Sequence, residues 1–177
     1  MQCLATPRLD LILATVDLLE AELESHTKLS SLLHASIPED WPPGEYNLPA
    51  IKYFRDQLVE NPGALGWYSW YALLHSTEET ARILIGAGGF IGPPNDDGQL
   101  EIGYSIIPKF KGHGYASELV SSLVEYAFNH KHVKRIIAHT AKENIGSVKV
   151  LERTGFHLVG FGKNHDILKY ERKSLTV

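Results

Sequence analysis

The chain has 177 residues, 17 Lys and Arg against 21 Asp and Glu, a formal charge of -4 and 44% hydrophobic residues. That length suits a single domain of about 100–200 residues, and the apolar share is enough for a core, which excludes global disorder and fibrous repeats. The acidic balance gives no reason to expect nucleic acid as a partner. The apolar-rich uncharged stretches Gly66 to Thr77 and Ile83 to Asn95 fall short of the ~18–20 apolar residues of a bilayer span. Residues Met1 to Leu19 carry Arg8, Asp10 and Asp17 without a long apolar run, so they do not read as a secretory leader and a cytoplasmic location is expected.

Arg8 to Thr15 alternates, with Leu9, Leu11 and Leu13 on one face, and predicts a half-buried strand; Asp17 then opens a short helix through about Glu24. Ser36 to Gly44 is a Pro-rich loop containing Trp41, and a helix follows from about Pro49, with Ile51, Phe54 and Leu58 on one face. That helix stops near Asn61-Pro62-Gly63. Three strands are expected at Trp67 to Leu74, Arg82 to Ile91 and Leu100 to Ile107, separated by Ser76 to Glu79 and by Pro93 to Gly98, which implies an antiparallel meander.

After Pro108 the pattern becomes helix, strand, helix, strand. Ala116, Leu119, Leu123 and Ala127 line one face of a helix from about Gly114 to Asn129, and Arg135 to Thr140 follows as a strand. Asn144 begins a second helix with Val148 and Leu151 facing inward, and Gly155 is placed as its left-handed C-terminal cap. Strands at Phe156 to Phe161 and Ile167 to Lys173 end the chain. A helix between two strands of one sheet demands a parallel crossover, so the sheet should be mixed.

Charge is unevenly spread: Met1 to Ile107 holds 5 Lys and Arg against 15 Asp and Glu, whereas Pro108 to Val177 holds 12 against 6. This division predicts an anionic ligand held by the C-terminal part and a cationic one approached by the N-terminal part. The most informative stretch is Gly103 to Leu119, where a strand ends at Pro108 and a glycine-bearing loop enters a helix. The first N–H groups of such a helix have no carbonyl partners, so Gly112, His113, Gly114, Tyr115 and Ala116 are placed to cradle a phosphate or pyrophosphate beside Lys109 and Lys111. A dinucleotide fingerprint needs a third glycine where Ser117 stands, and Gly162-Lys163 is followed by Asn164 rather than the Ser or Thr of a Walker loop.

Lys111-Gly-His-Gly-Tyr-Ala116 resembles the Q/R-x-x-G-x-G/A signature of the GNAT superfamily of N-acetyltransferases, and Asn144-Ile-Gly-Ser147 through Phe156 resembles that superfamily's second cofactor-contacting motif. Together they are most similar to the branch of the Rim-type ribosomal-protein alanine acetyltransferases. Lys111 stands where the signature has Gln or Arg, and Leu151 stands where many members have a general-acid Tyr. The resemblance implies an α/β (α+β) fold with a mixed, mostly antiparallel central sheet and helices on both faces. It implies acetyl-CoA as cosubstrate, direct transfer to a primary amine, and a protein N-terminus or a small amine as acceptor, with homodimerisation left open.

Carried over to this sequence, the pyrophosphate of acetyl-CoA lies on Gly112 to Ala116 beside Lys111, and its pantetheine arm adds to the strand from Tyr104 to Ile107. Asn144 reaches the arm from the second helix, and a backbone N–H at Ile106 or Ile107 serves the oxyanion. Alternation puts Glu101, Gly103, Ser105 and Ile107 on one strand face, which makes Glu101 the candidate general base. Ser147, one turn after Asn144, is the candidate proton donor to the thiolate.

The nine His show no metal-binding spacing, and the single Cys3 lies near a terminus expected to fray, so neither a metal nor a covalent acyl-enzyme is expected. His113 and His139 read as structural or solvated side chains near the cleft. Trp41, Trp67 and Trp70 are candidates to wall an acceptor site, with core packing favoured for the last two. The rival readings are a non-catalytic acyl-CoA-binding sensor and, more distantly, a nucleotide-binding oxidoreductase.

Overall fold

Trp70 and Tyr71 are adjacent in sequence and both fully buried. Side chains alternate across a strand, so their strand must be covered on both faces. The computed structural model describes residues 2–77 and 81–175 and places that strand inside such a sheet.

Its elements in chain order are β1 (Cys3–Ala5), β2 (Leu9–Leu13), α1 (Val16–Glu24), α2 (His26–Leu33), α3 (Leu48–Glu60), β3 (Ser69–Leu74), β4 (Ile83–Phe90), β5 (Gln99–Ile106), α4 (Tyr115–Phe128), β6 (Arg135–Ala141), α5 (Ile145–Arg153), β7 (His157–Phe161) and β8 (Ile167–Lys173). Eight strands lie in the order β1-β2-β3-β4-β5-β6-β8-β7. All neighbours are antiparallel except β5 and β6, which the α4 crossover makes parallel. The expected meander and mixed sheet are both present. Of the turn expected at Ser76 to Glu79, the last two residues lie outside the described residues.

One core packs α4 and α5 on the sheet through Leu119, Val120, Leu123, Val124 and Leu151 against Trp70, Ile85, Ile102 and Ile106. The other packs α1, α2 and α3 on the opposite face through Leu18, Leu19, Leu29, Ile51 and Leu58 against Tyr71, Leu73 and Ala87. Each such fully buried aliphatic side chain contributes roughly 1.5–3 kcal/mol.

Two elements escape the sequence pattern. Helix α2 runs on Ser and Thr with only Leu29 and Leu33 buried, and it starts because Ser25, the last cap of α1, accepts the Lys28 N–H at 3.2 Å. Strand β1 is three residues long at the sheet edge, so the terminus around exposed Cys3 is paired to β2. No helix among the described residues is long and apolar enough to cross a membrane.

One irregularity positions the site. β5 and β6 pair only at Gln99↔Arg135, Leu100↔Ile136 and Glu101↔Ile137 and then part. In β5 the odd residues bond to β4: Ile107 N–H donates to the Ile85 carbonyl at 2.9 Å, and the Glu101 carbonyl accepts from Ile91 N–H at 3.0 Å. By alternation, the N–H and C=O of Tyr104 and Ile106 turn to the other side, where the ladder has ended.

Candidate active site

Beyond β5, the chain makes a 3-10 turn at Pro108–Phe110 and enters α4 through Gly112 and Gly114, whose φ angles are +82° and +83°. Those left-handed conformations suit glycine. No side chain caps the N-terminus of α4, and among the described residues the amides from Gly112 to Ser117 donate to no protein acceptor. An array of unpaired N–H groups at a helix start attracts an anion.

The loop is braced from the far end of the chain. Arg8 Nη1 donates to the His113 carbonyl at 2.8 Å, Arg8 Nε donates to Glu118 Oε2 at 2.7 Å, and the guanidinium lies 4.6 Å over the Tyr115 ring. Thr6 Oγ and the Arg8 backbone N–H also donate to Glu118. Burial pushes the Glu118 carboxyl up, but these hydrogen bonds outweigh it and hold its pKa below the usual value.

Helix α5 forms the facing wall. Asn144 caps it, with Oδ1 accepting the Ser147 N–H at 3.1 Å. Ser147 Oγ in turn lies 2.9 Å from the Tyr104 hydroxyl, which also donates to the Ser147 carbonyl at 3.3 Å. Burial pushes the Tyr104 phenol up to about 12, against the opposing effect of the Ser147 hydrogen bond, so it keeps its proton at neutral pH. Between β5, the loop and α5 runs a groove of 500 Å³ lined by Tyr104, Ile106, Gly114, Ala116, Asn144 and Ser147 among others, with the cations Lys111, Lys149 and Arg153 along it.

The chain has relatives among known proteins. Residues 24–157 match the family described as Acetyltransferase (GNAT) domain. Uncharacterized N-acetyltransferase YjdG of Bacillus subtilis (strain 168) is 32% identical over 171 residues, covering 97% of this chain and 96% of that protein. The chain belongs to the GNAT acetyltransferase family. A GNAT-family acetyltransferase structure from Bacillus anthracis is 25% identical with a TM-score of 0.63, over 98% of this chain and 99% of that one. The fold is shared with RimL, an alpha-N-protein acetyltransferase solved with coenzyme A, at a TM-score of 0.66 and 20% identity, over 97% of this chain and 98% of that one.

Within this GNAT domain the residues singled out from sequence fall into three groups. Tyr104, Ile106, Lys111, Gly112, Gly114, Tyr115, Ala116, Asn144 and Ser147 all border the groove. His113 does not: its Nδ1 donates to the Lys111 carbonyl at 2.9 Å and its ring stacks on Tyr115. Ile107 is corrected outright, because its N–H is spent on Ile85 and its side chain is fully buried toward α1–α3, leaving Ile106 as the available amide.

Glu101 sits where β5 and β6 part, its Oε1 2.7 Å from His139 Nδ1. It shares a sheet face with Gly103 and Ser105 but does not itself line the groove. Leu151, at the position of the absent Tyr, is fully buried in the α4 core. None of the three Trp walls the groove: Trp67 and Trp70 pack in the core, and Trp41 Nε1 donates to buried Glu22 at 2.7 Å.

Sequence reading missed the Arg8–Glu118 brace, the Tyr104 hydroxyl as partner of Ser147, and the α5 cations. The helical spacing of Lys149 and Arg153, four residues apart after Asn144, was the one local signal for the last.

Proposed function

We propose that this enzyme transfers the acetyl group of acetyl-CoA to a primary amine by direct attack within a ternary complex. The observation that carries the reading is the open edge of β5 at Tyr104 and Ile106, lying beside the unpaired amides of Gly112 to Ser117. An extended amide-bearing arm fits the first, and a pyrophosphate the second. Acetyl-CoA supplies the activated acyl group and a thiolate leaving group.

The protein's own residues then divide the work. Glu101, through a water on the sheet face it shares with Gly103, takes a proton from the incoming ammonium so that the neutral amine attacks. The Ile106 N–H is the fixed donor for the oxyanion. Ser147 donates to the departing sulfur, and Tyr104, kept protonated by its burial, replaces that proton. Two protons leave the nitrogen, one from the ammonium to Glu101 and on to solvent, and one from the tetrahedral adduct, which restores Tyr104 through water, so the net yield is the amide, the thiol and one released proton.

The sensor reading rested on Leu151 in place of a Tyr. The Tyr104–Ser147 pair supplies two hydroxyls at the groove instead, which favours turnover. The test is thiol release from acetyl-CoA across a panel of peptides and small amines. Acetyl-CoA binding without release for any amine would replace the enzyme with the sensor.

A further inference from the structure

β3, β4 and β5 set their smallest residues side by side on the face turned to α3. Ser69 pairs with Gly89 and Gly89 with Gly103, while in the next row Ala87 pairs with Ser105. The first row holds no bulky side chain and the second only Tyr71, which pairs with Ala87 at the β3 end, so the sheet face is hollow over Gly89, Gly103 and Ser105, leaving a cavity of 280 Å³ walled by Tyr46, Phe54 and Tyr68. Glu45 is the one charged residue at this cavity among the described residues. It also borders the cofactor groove, as do Tyr104 and Ser105, so the two spaces meet at a carboxylate.

The cavity has a polar anchor as well. Ser69 is 2% exposed and lines the wall, and among the described residues its Oγ makes no well-formed hydrogen bond, the Tyr46 hydroxyl being its polar neighbour. A buried hydroxyl left unpaired costs about 1–3 kcal/mol, which a ligand group bonding to it recovers.

We propose that this cavity receives the side group of the acceptor, and that the acceptor is an arylalkyl primary amine. The assignment rests on the groove being the acetyl-CoA site. An apolar cavity of about 150 Å³ holds benzene, so 280 Å³ takes an aromatic ring with a short alkyl arm. The ring lies among Tyr46, Phe54 and Tyr68, the ammonium stands by Glu45 at the mouth of the groove, and a ring hydroxyl meets Ser69. A polyamine fits poorly, because its further charges would enter apolar walls without partners.

The test compares tyramine, 2-phenylethylamine, spermidine and a peptide with a free N-terminal Ala, by thiol release and by calorimetric binding to the CoA-loaded protein. The aryl amines should show at least tenfold higher kcat/KM than the other two, with tyramine ahead of 2-phenylethylamine. In Gly103→Val the new side chain starts from a Cβ that meets nothing within 4 Å, so it fills the cavity without a backbone clash. It should weaken tyramine binding at least tenfold and leave acetyl-CoA affinity unchanged. Ser69→Ala, the milder variant, should erase the preference for tyramine over 2-phenylethylamine. Equal use of all four amines, preference for the peptide or spermidine, or tyramine binding indifferent to both substitutions overturns the proposal. Tyramine binding that Gly103→Val abolishes, with no acetyl transfer to any amine, upholds the cavity assignment and rejects the transferase reading.

Discussion

Glu22 offers the sharpest test of how the loop between the two cavities is held. It is 6% exposed, and its carboxylate receives Trp41 Nε1 at 2.7 Å, the Tyr46 hydroxyl at 2.9 Å and the Tyr71 hydroxyl at 2.6 Å. Trp41 and Tyr46 flank Gly44 and Glu45, so this one side chain of α1 ties down the loop that borders both cavities. Glu22→Leu keeps the site filled but strands three buried donors at about 1–3 kcal/mol each, offset by the relieved desolvation of the carboxylate. Three stranded donors toward the lower end of that range come to about 3–5 kcal/mol, and at about 2–4 °C per kcal/mol for a chain of this size the Tm should fall by roughly 6–20 °C.

The pH dependence has a definite sign. Burial raises the Glu22 pKa above the usual carboxylate value despite the three hydrogen bonds. A folded-state pKa raised in this way favours the fold below the unfolded pKa, and the contribution is lost as pH rises through the folded one. The stability gap between wild type and Glu22→Leu, read by chemical denaturation, should therefore narrow as pH rises from the ordinary carboxylate range. A variant melting within about 2 °C of wild type, or a gap that widens with pH, refutes the reasoning.

The remaining predictions address the groove and the chemistry. Gly114→Glu puts a carboxylate at the helix start on a residue with φ +83° and should abolish the shift in Tm that acetyl-CoA gives wild type, about 2.7 kcal/mol of stabilisation at a hundredfold excess over Kd. Arg8→Ala frees the His113 carbonyl and weakens the hold on Glu118, and should raise the acetyl-CoA Kd about fivefold, close to 1 kcal/mol, by calorimetry. Ser147→Ala and Tyr104→Phe should each lower kcat about tenfold, or 1.4 kcal/mol, with acetyl-CoA affinity nearly unchanged; wild-type kcat in both assigns the thiolate proton to water. Glu101→Gln should depress kcat/KM most at neutral pH and converge on wild type as the amine deprotonates unaided, and superimposable pH-rate curves remove Glu101 as the base.

Local chemistry was legible in the sequence wherever one segment decided it. Gly155 is left-handed at φ +81°, Asn144 caps α5, and β8 spans Ile167 to Lys173, each from its own turn or periodicity. What stayed hidden depends on partners far apart in the chain. Arg8 meets Glu118 across 110 residues, and Glu22 meets Tyr71 across 49. Nothing in Ser69, Gly89 or Gly103 taken singly announces a hollow; it exists only because register aligns three small residues across three strands. Ile107 was misjudged for the same reason. Alternation alone says that neighbouring amides point opposite ways, but only the β4 register shows that Ile107, and not Ile106, is already spent.

The uneven charge of the two chain halves takes on a physical meaning once the sheet is in place. Lys111, Lys149 and Arg153 come from the basic C-terminal part and line the groove, whereas Glu45 and Glu101 come from the acidic N-terminal part and lie toward the α3 face. The boundary between the two fields is the parting of β5 from β6, and β5 is the strand that both spaces share through Tyr104 and Ser105. A cation and an anion brought together from opposite sides of one strand must meet at its open backbone edge. The backbone groups of Tyr104 and Ile106, left free because β5 and β6 part after three paired positions, lie at that edge between the two fields.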